Sequence, residues 1–132
     1  KDLEDFIYSP TKKLVKFTKS INKPCICFPR NIINYSDYTE IVKPNVISID
    51  YNVNPVKIAR NINIPIQGGM DPKVLLTNKK NLEKVVKHYL NTFKNHPYIF
   101  NLGHGVLPQT DPNMVDYLIK IIRKFNERSS KN

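Results

Sequence analysis

The stretch that decides the fold is Tyr98-Ile99-Phe100-Asn101-Leu102-Gly103-His104-Gly105, followed shortly by Asp111-Pro112. An apolar run empties into a Gly-His-Gly turn, and an Asp-Pro pair then opens a helix. This order reads as strand, loop and helix, with the histidine at the strand's C-terminal end. In α/β proteins that end is where ligands bind. The flanking glycines are expected to admit close backbone approach and unusual φ/ψ around His104.

Working outward, the same unit recurs. Cys25-Ile26-Cys27-Phe28 reads as a first strand between Pro24 and Pro29, with a short helix around Tyr38 to Val42 behind it. Val46-Ile47-Ser48-Ile49-Asp50 is a second strand, followed by Asn54-Pro55 and a helix from Val56 to Arg60. A short third strand lies near Ile64-Pro65-Ile66-Gln67; Gly68-Gly69 ends it, and Asp71-Pro72 starts another helical turn. A longer helix, about Asn81 to Phe93, carries Leu82, Val85, Val86, Tyr89, Leu90 and Phe93 as one buried stripe. Tyr98 to Leu102 is the fourth strand. The last helix turns Met114, Val115, Leu118, Ile121, Ile122 and Phe125 to one side. Ahead of these units, roughly Leu3 to Ile21 reads as a leading helix in which Phe6, Ile7, Leu14, Phe17 and Ile21 recur at mostly helical spacing. Pro10 should kink or restart it, with Ser9 available as N-cap. The polar tail, Asn126 to Asn132, is expected to fray.

The pairs Asn54-Pro55, Asp71-Pro72 and Asp111-Pro112 share one mechanism. The Asx side chain caps a helix, and proline fills the first helical position, where no N–H is needed. Strands alternating with helices imply parallel βαβ units. No GxGxxG or GxxxxGK[ST] phosphate loop is present. About four parallel βα units after a leading helix amount to half of a TIM (β/α)8 barrel, whose usual length is about 250 residues. The expected architecture is therefore α/β, with residues 1–132 a single partial domain forming the C-terminal half of such a barrel.

Composition narrows the function classes. The chain has 132 residues, 40 % hydrophobic and 24 % charged, which is a globular balance rather than a disordered one. A formal net charge of +10 points to a polyanionic partner or substrate, and a lysine-rich solvated surface accounts for it equally well. No apolar run is long enough to cross a membrane. Cys25 and Cys27 share one strand face and fit neither a disulfide framework nor a zinc CxxC pair. The start, Lys1-Asp2-Leu3-Glu4, is no signal peptide, and without an initiator methionine it suggests a mature chain or a fragment.

Three stretches carry a family likeness. Ile66-Gln67-Gly68-Gly69-Met70-Asp71-Pro72 is similar to LQGNLDP, and Tyr98 through Pro108 is similar to YIFNLGHGILP. Ile49-Asp50-Tyr51 is a weaker match to LDW. In this order and spacing they resemble the C-terminal half of the uroporphyrinogen decarboxylase family. That resemblance implies a TIM-barrel enzyme that removes CO2 from four acetate side chains of uroporphyrinogen III to give coproporphyrinogen III. It implies no metal, no organic cofactor and a homodimer; neither nucleic acid nor membrane is expected as a partner. It implies location in cytosol or plastid (apicoplast or chloroplast) without deciding between them. The family's acid and anchoring groups, arginines and an aspartate with a tyrosine and a serine, lie in earlier segments, so no catalytic residue is assigned here and the chain alone is expected to be inactive.

Of the family's cleft residues, only the NLGHG histidine carries over, onto His104, as a group that contacts a substrate carboxylate or pyrrole. A neutral-to-cationic imidazole suits either contact. The candidate substrate-binding set is His104 first, then Gly103, Gly105, Gln67, Gly68 and Arg30, with the glycine amides offered to carboxylates. Gly69 stands where the family has asparagine, removing a side chain that could brace the loop. Phe28-Pro29-Arg30-Asn31 stands where it has FAKG. Asp50 reads either as an anchor at the barrel mouth or as a loop cap. His88 and His96 read as surface residues, and Cys25 and Cys27 as a buried strand face. Two other readings remain: a basic polyanion-binding module, which lacks an RNA or helix-turn-helix signature, and a fold-related corrinoid methyltransferase. The latter's zinc-binding His-x-Cys-Gly positions are Phe28, Arg30 and Asn31 here, so its ligands are missing.

Overall fold

In the computed structural model, which describes residues 2–129, four strands form one parallel sheet in chain order. They are β1 (Ile26–Cys27), β2 (Val46–Ile49), β3 (Ile66–Gly68) and β4 (Tyr98–Ile99). Between them run α2 (Tyr35–Val42), α3 (Pro55–Asn61) and α4 (Lys79–Thr92); α1 (Ser9–Ser20) precedes and α5 (Pro112–Ser129) follows. The sheet does not close, so β1 and β4 are its edges.

A sequentially ordered parallel sheet with like-handed crossovers lays its helices on one face. Side-chain alternation agrees. Ile47, Ile49 and Ile66 point to the helical side and are fully buried, whereas Ile26, Phe28 and Ile99 stay 45–49 % exposed. The register aligns Ile47 with Ile66 and Tyr98, and on the next row Ser48 with Gln67 and Ile99. The uncovered face is therefore half apolar and half polar, with Ser48 and Gln67 side by side.

Local chemistry sets the helix starts. Asn54 Oδ1 accepts from the amides of Val56 and Lys57 at 3.0 and 3.1 Å, Asp71 from Lys73 at 2.8 Å, and Asp111 from Asn113 at 2.9 Å. These are the Asx-Pro caps the sequence announced. After Asp71-Pro72 the turn is a 3-10 segment, Pro72–Leu76. Two caps without a proline were less visible. Asn34 accepts from Ser36 and Asp37, so α2 begins at Tyr35 rather than near Tyr38, and Asn78 accepts from Asn81, so α4 begins at Lys79. In α4, Leu82, Val86, Tyr89 and Leu90 are buried as the stripe required.

Several expectations need correction. The leading helix is continuous: Glu4–Tyr8 is a π-helical turn running into α1. Pro10 has no amide to donate, and the wider ladder before it uses Ser9 N–H to Glu4 O. Ser9 has φ −63 and ψ −48, inside the helix, so it is not an N-cap. The recurring apolar face is also not buried; Phe6 is 78 %, Leu14 64 % and Phe17 62 % exposed, and only Tyr8 and Val15 reach the core. At the other end α5 persists through Asn126 to Ser129, so that part of the tail is helical; residues 130–132 lie outside the described residues. The expected fourth strand is also shorter. It ends at Ile99, and Leu102 rejoins the sheet through one bridge to Met70.

Candidate functional site

The C-terminal ends of the strands border an open cavity of about 600 Å³. Ile26 and Phe28 line one side, Ser48 and Gln67 form its floor, and Asn101 to Val106 arch over the other side. Gln67 Nε2 donates to Ser48 Oγ at 3.5 Å. His104 is the one ionisable residue in this lining. The positive charge of the chain is therefore not concentrated here.

The loop carrying His104 is fixed through its backbone. Gly103 N–H donates to Met70 O at 2.8 Å, beside the Leu102–Met70 bridge. A Cβ on Gly103 would stand 2.4 Å from Tyr51 N and 2.9 Å from Asp50 C, so only glycine lets this turn lie against the exit of β2. The Gly103 amide is thus committed to Met70 and is not offered to a carboxylate. Gly105 differs: a Cβ there meets nothing within 4 Å. The unusual dihedrals sit instead at Gly68 and Gly69, with φ of +88 and +98.

Two phenols, the buried Tyr89 and the half-buried Tyr98, hold that exit from β3. Tyr98 Oη donates to Gly68 O at 2.7 Å and Tyr89 Oη to Gly69 O at 2.6 Å. Tyr98 stacks on Phe93 at 4.2 Å. Burial pushes the Tyr89 hydroxyl up to about 12, with the Asp71 charge adding to it, and burial raises Tyr98 as well, with Tyr89 adding to it. Both therefore remain donors over the ordinary pH range. The ring of Tyr89 comes within 3.0 Å of where a Gly69 Cβ would be, so tyrosine does the bracing that the missing asparagine side chain suggested was lost.

Among the described residues no hydrogen bond or ion pair engages the exposed His104 ring; Tyr51 meets it edge-on, 6.5 Å between centroids. Both imidazole nitrogens are open to a ligand. His96 is the opposite case. Its Nε2 contacts Ile62 O at 2.7 Å and its Nδ1 contacts Pro97 O at 3.0 Å, so it ties two loops together and is not a plain surface residue. His88 is exposed on α4. Asp50 is 2 % exposed, with Oδ1 accepting from Asn52 N–H at 3.4 Å, which is the loop-capping reading.

Of the candidate set, His104, Gly103, Gly105 and Gln67 border the one cavity. Gly68 lies beneath it, acting through its backbone. Arg30 is elsewhere: with Cys25, Cys27 and Tyr38 it borders a groove of about 410 Å³ between α1 and the β1 edge. There the two sulfurs are 3.8 Å apart, and burial pushes the Cys27 thiol up to about 11, which makes it a core group rather than a nucleophile.

The profile of uroporphyrinogen decarboxylase matches residues 1–125. The chain belongs to the uroporphyrinogen decarboxylase family. A uroporphyrinogen decarboxylase from Wolbachia pipientis is 40 % identical over 126 residues, covering 92 % of this chain and 37 % of that protein. One from Rickettsia bellii is 36 % identical, covering 94 % and 38 %, and one from Cereibacter sphaeroides is 37 % identical, covering 92 % and 37 %. The chain thus spans a little over a third of the length of these decarboxylases. Sequence reading of this family member missed Ser48, Phe28 and Tyr51. Ser48 was findable as the polar inward step in Val46-Ile47-Ser48-Ile49. Tyr51 appeared only as the last residue of the weak Ile49-Asp50-Tyr51 match, and its pairing with His104 was not visible because it spans two loops far apart in the chain.

Proposed function

We propose that this chain is the C-terminal half of a (β/α)8 barrel and forms one wall of the cleft in which uroporphyrinogen III is converted to coproporphyrinogen III. The observation that carries the reading is His104, on the Asn101–Gly105 turn at the strand ends, with both ring nitrogens uncommitted beside a cavity. The barrel reading is supported by the sheet. All-parallel sheets are stable with both faces covered or with the inner face closed into a barrel, and here one face and two edges are open. The bare apolar side of α1, with Leu14 and Phe17, fits a surface that the preceding part of such a barrel covers.

In each of four turnovers an acetate side chain loses CO2 and gains a proton, –CH2–COO⁻ plus H⁺ giving –CH3 plus CO2. Protonation of the pyrrole supplies the electron sink, and the methylene is then reprotonated. Within this half, His104 donates a hydrogen bond to a substrate carboxylate or pyrrole substituent, and its cationic form balances one of eight carboxylates. Phe28 and Ile26 offer apolar wall to the macrocycle. The acid and the arginine anchors come from the other half, no metal or organic cofactor is required, and two such barrels pair as a homodimer. Cytosol and plastid both suit this chemistry.

The test compares this chain alone with the chain co-expressed with the part of the Wolbachia pipientis decarboxylase that precedes the match. The pair should form coproporphyrinogen, and the chain alone should not. A stable complex of the two that leaves uroporphyrinogen unchanged, or conversion by the isolated chain, would overturn the reading.

A further inference from the structure

We propose that Tyr51 is a positioning residue for His104, fixing the direction from which the imidazole meets substrate; this rests on the reading of His104 as a substrate contact. An exposed histidine without hydrogen bonds ordinarily samples several rotamers. Here Tyr51 walls one side of the ring, with centroids 6.5 Å apart and planes at 77°, an edge-to-face pairing within the attractive range.

That pairing is set by backbone contact rather than by the accident of two loops. Tyr51 follows Asp50, whose amide donates to the buried Tyr35 Oη at 3.2 Å and whose carboxylate accepts from Asn52 N–H. The far side of the pair is fixed by Gly103, whose amide is held by Met70 and whose absent side chain leaves room for Tyr51 N. Each aromatic ring therefore projects from a backbone that touches the other. Tyr51 restricts the imidazole while leaving both nitrogens to the ligand, which is what a positioned hydrogen-bond donor to a carboxylate needs.

The experiment uses the 132-residue chain with labelled histidine. Three-bond couplings should show one χ1 rotamer for His104 in the wild type and in Tyr51→Phe, and averaging in Tyr51→Leu and Tyr51→Ala. Averaging in the wild type, or a single rotamer surviving in both Tyr51→Leu and Tyr51→Ala, would overturn the proposal. Uroporphyrin titration of the chain co-expressed with the preceding part of the Wolbachia pipientis decarboxylase gives a second arm. Tyr51→Ala should weaken binding about two- to tenfold while Tyr51→Phe binds as wild type. The double variant Tyr51→Ala, His104→Ala should bind no more weakly than His104→Ala alone; fully additive losses would show that Tyr51 does not act through His104. A wild-type complex that binds no uroporphyrin counts against the substrate reading, and the rotamer measurement then still decides the role of Tyr51.

Discussion

Replacing Gly103 with alanine puts a methyl group into backbone. Its nearest neighbour would be Tyr51 N at 2.4 Å, where ordinary contact begins at 3.4 Å, so the two turns must part by roughly 1 Å. Nothing flexible can absorb this, because the close atoms belong to the Asp50 and Tyr51 main chain. Overpacking of this kind costs about 1–3 kcal/mol. Parting the turns also breaks the 2.8 Å bond from Gly103 N–H to Met70 O, at about 1 kcal/mol. We expect Gly103→Ala to lose about 2–4 kcal/mol in all. Urea unfolding followed by circular dichroism measures it, with tyrosine emission as a second probe, since the chain has seven tyrosines and no tryptophan. Gly105→Ala is the internal control. Its Cβ meets nothing within 4 Å and its φ is ordinary, so it should be neutral or stabilising by about 0.4–1 kcal/mol. If Gly103→Ala stays within about 0.5 kcal/mol of wild type, the usual range for innocuous surface changes, the close-approach argument is wrong.

Three further outcomes follow from the same geometry. Tyr89→Phe strands the buried Gly69 carbonyl and should cost about 1–3 kcal/mol in the same unfolding assay, whereas no loss would mean that the 2.6 Å bond does not brace the turn. Cys27 has its folded-state pKa raised above the ordinary 9.0 to about 11, so the unfolded chain sheds this proton first; its contribution is intact below pH 9 and stability should fall as pH rises from about 9 to 11. Cys27→Ala should flatten that part of the stability–pH curve, and an unchanged slope would remove Cys27 from the account. The bare apolar side of α1 should make the chain self-associate, and Leu14→Glu with Phe17→Glu should shift its sedimentation toward monomer; a wild-type chain that is already a monodisperse monomer would speak against a surface awaiting cover.

The alternation of strands and helices is legible in the residues alone, because Asx-Pro caps and period-2 against period-3.6 apolar patterns are local. Asn54, Asp71 and Asp111 announce their helices within four residues, and the Asn101–Gly105 turn places its histidine after a strand without any tertiary knowledge. The family likeness was equally local, residing in three short stretches. Tertiary structure decided what each group in those stretches faces. The two glycines beside His104 look alike in sequence, yet Gly103 is forced by the main chain of residues 50 and 51 and Gly105 by nothing nearby. Arg30 follows a strand as His104 nearly does, yet it borders the groove beside α1 rather than the cavity at the strand ends. Ser9 had the right chemistry for a cap and lies inside a helix, because the π-helical turn before it already continues the ladder. The contact that decides Gly103 joins residues about fifty positions apart, and no local pattern carries that distance; Ser9 is decided close by, by its amide bond to Glu4 O, which capping chemistry alone does not reveal.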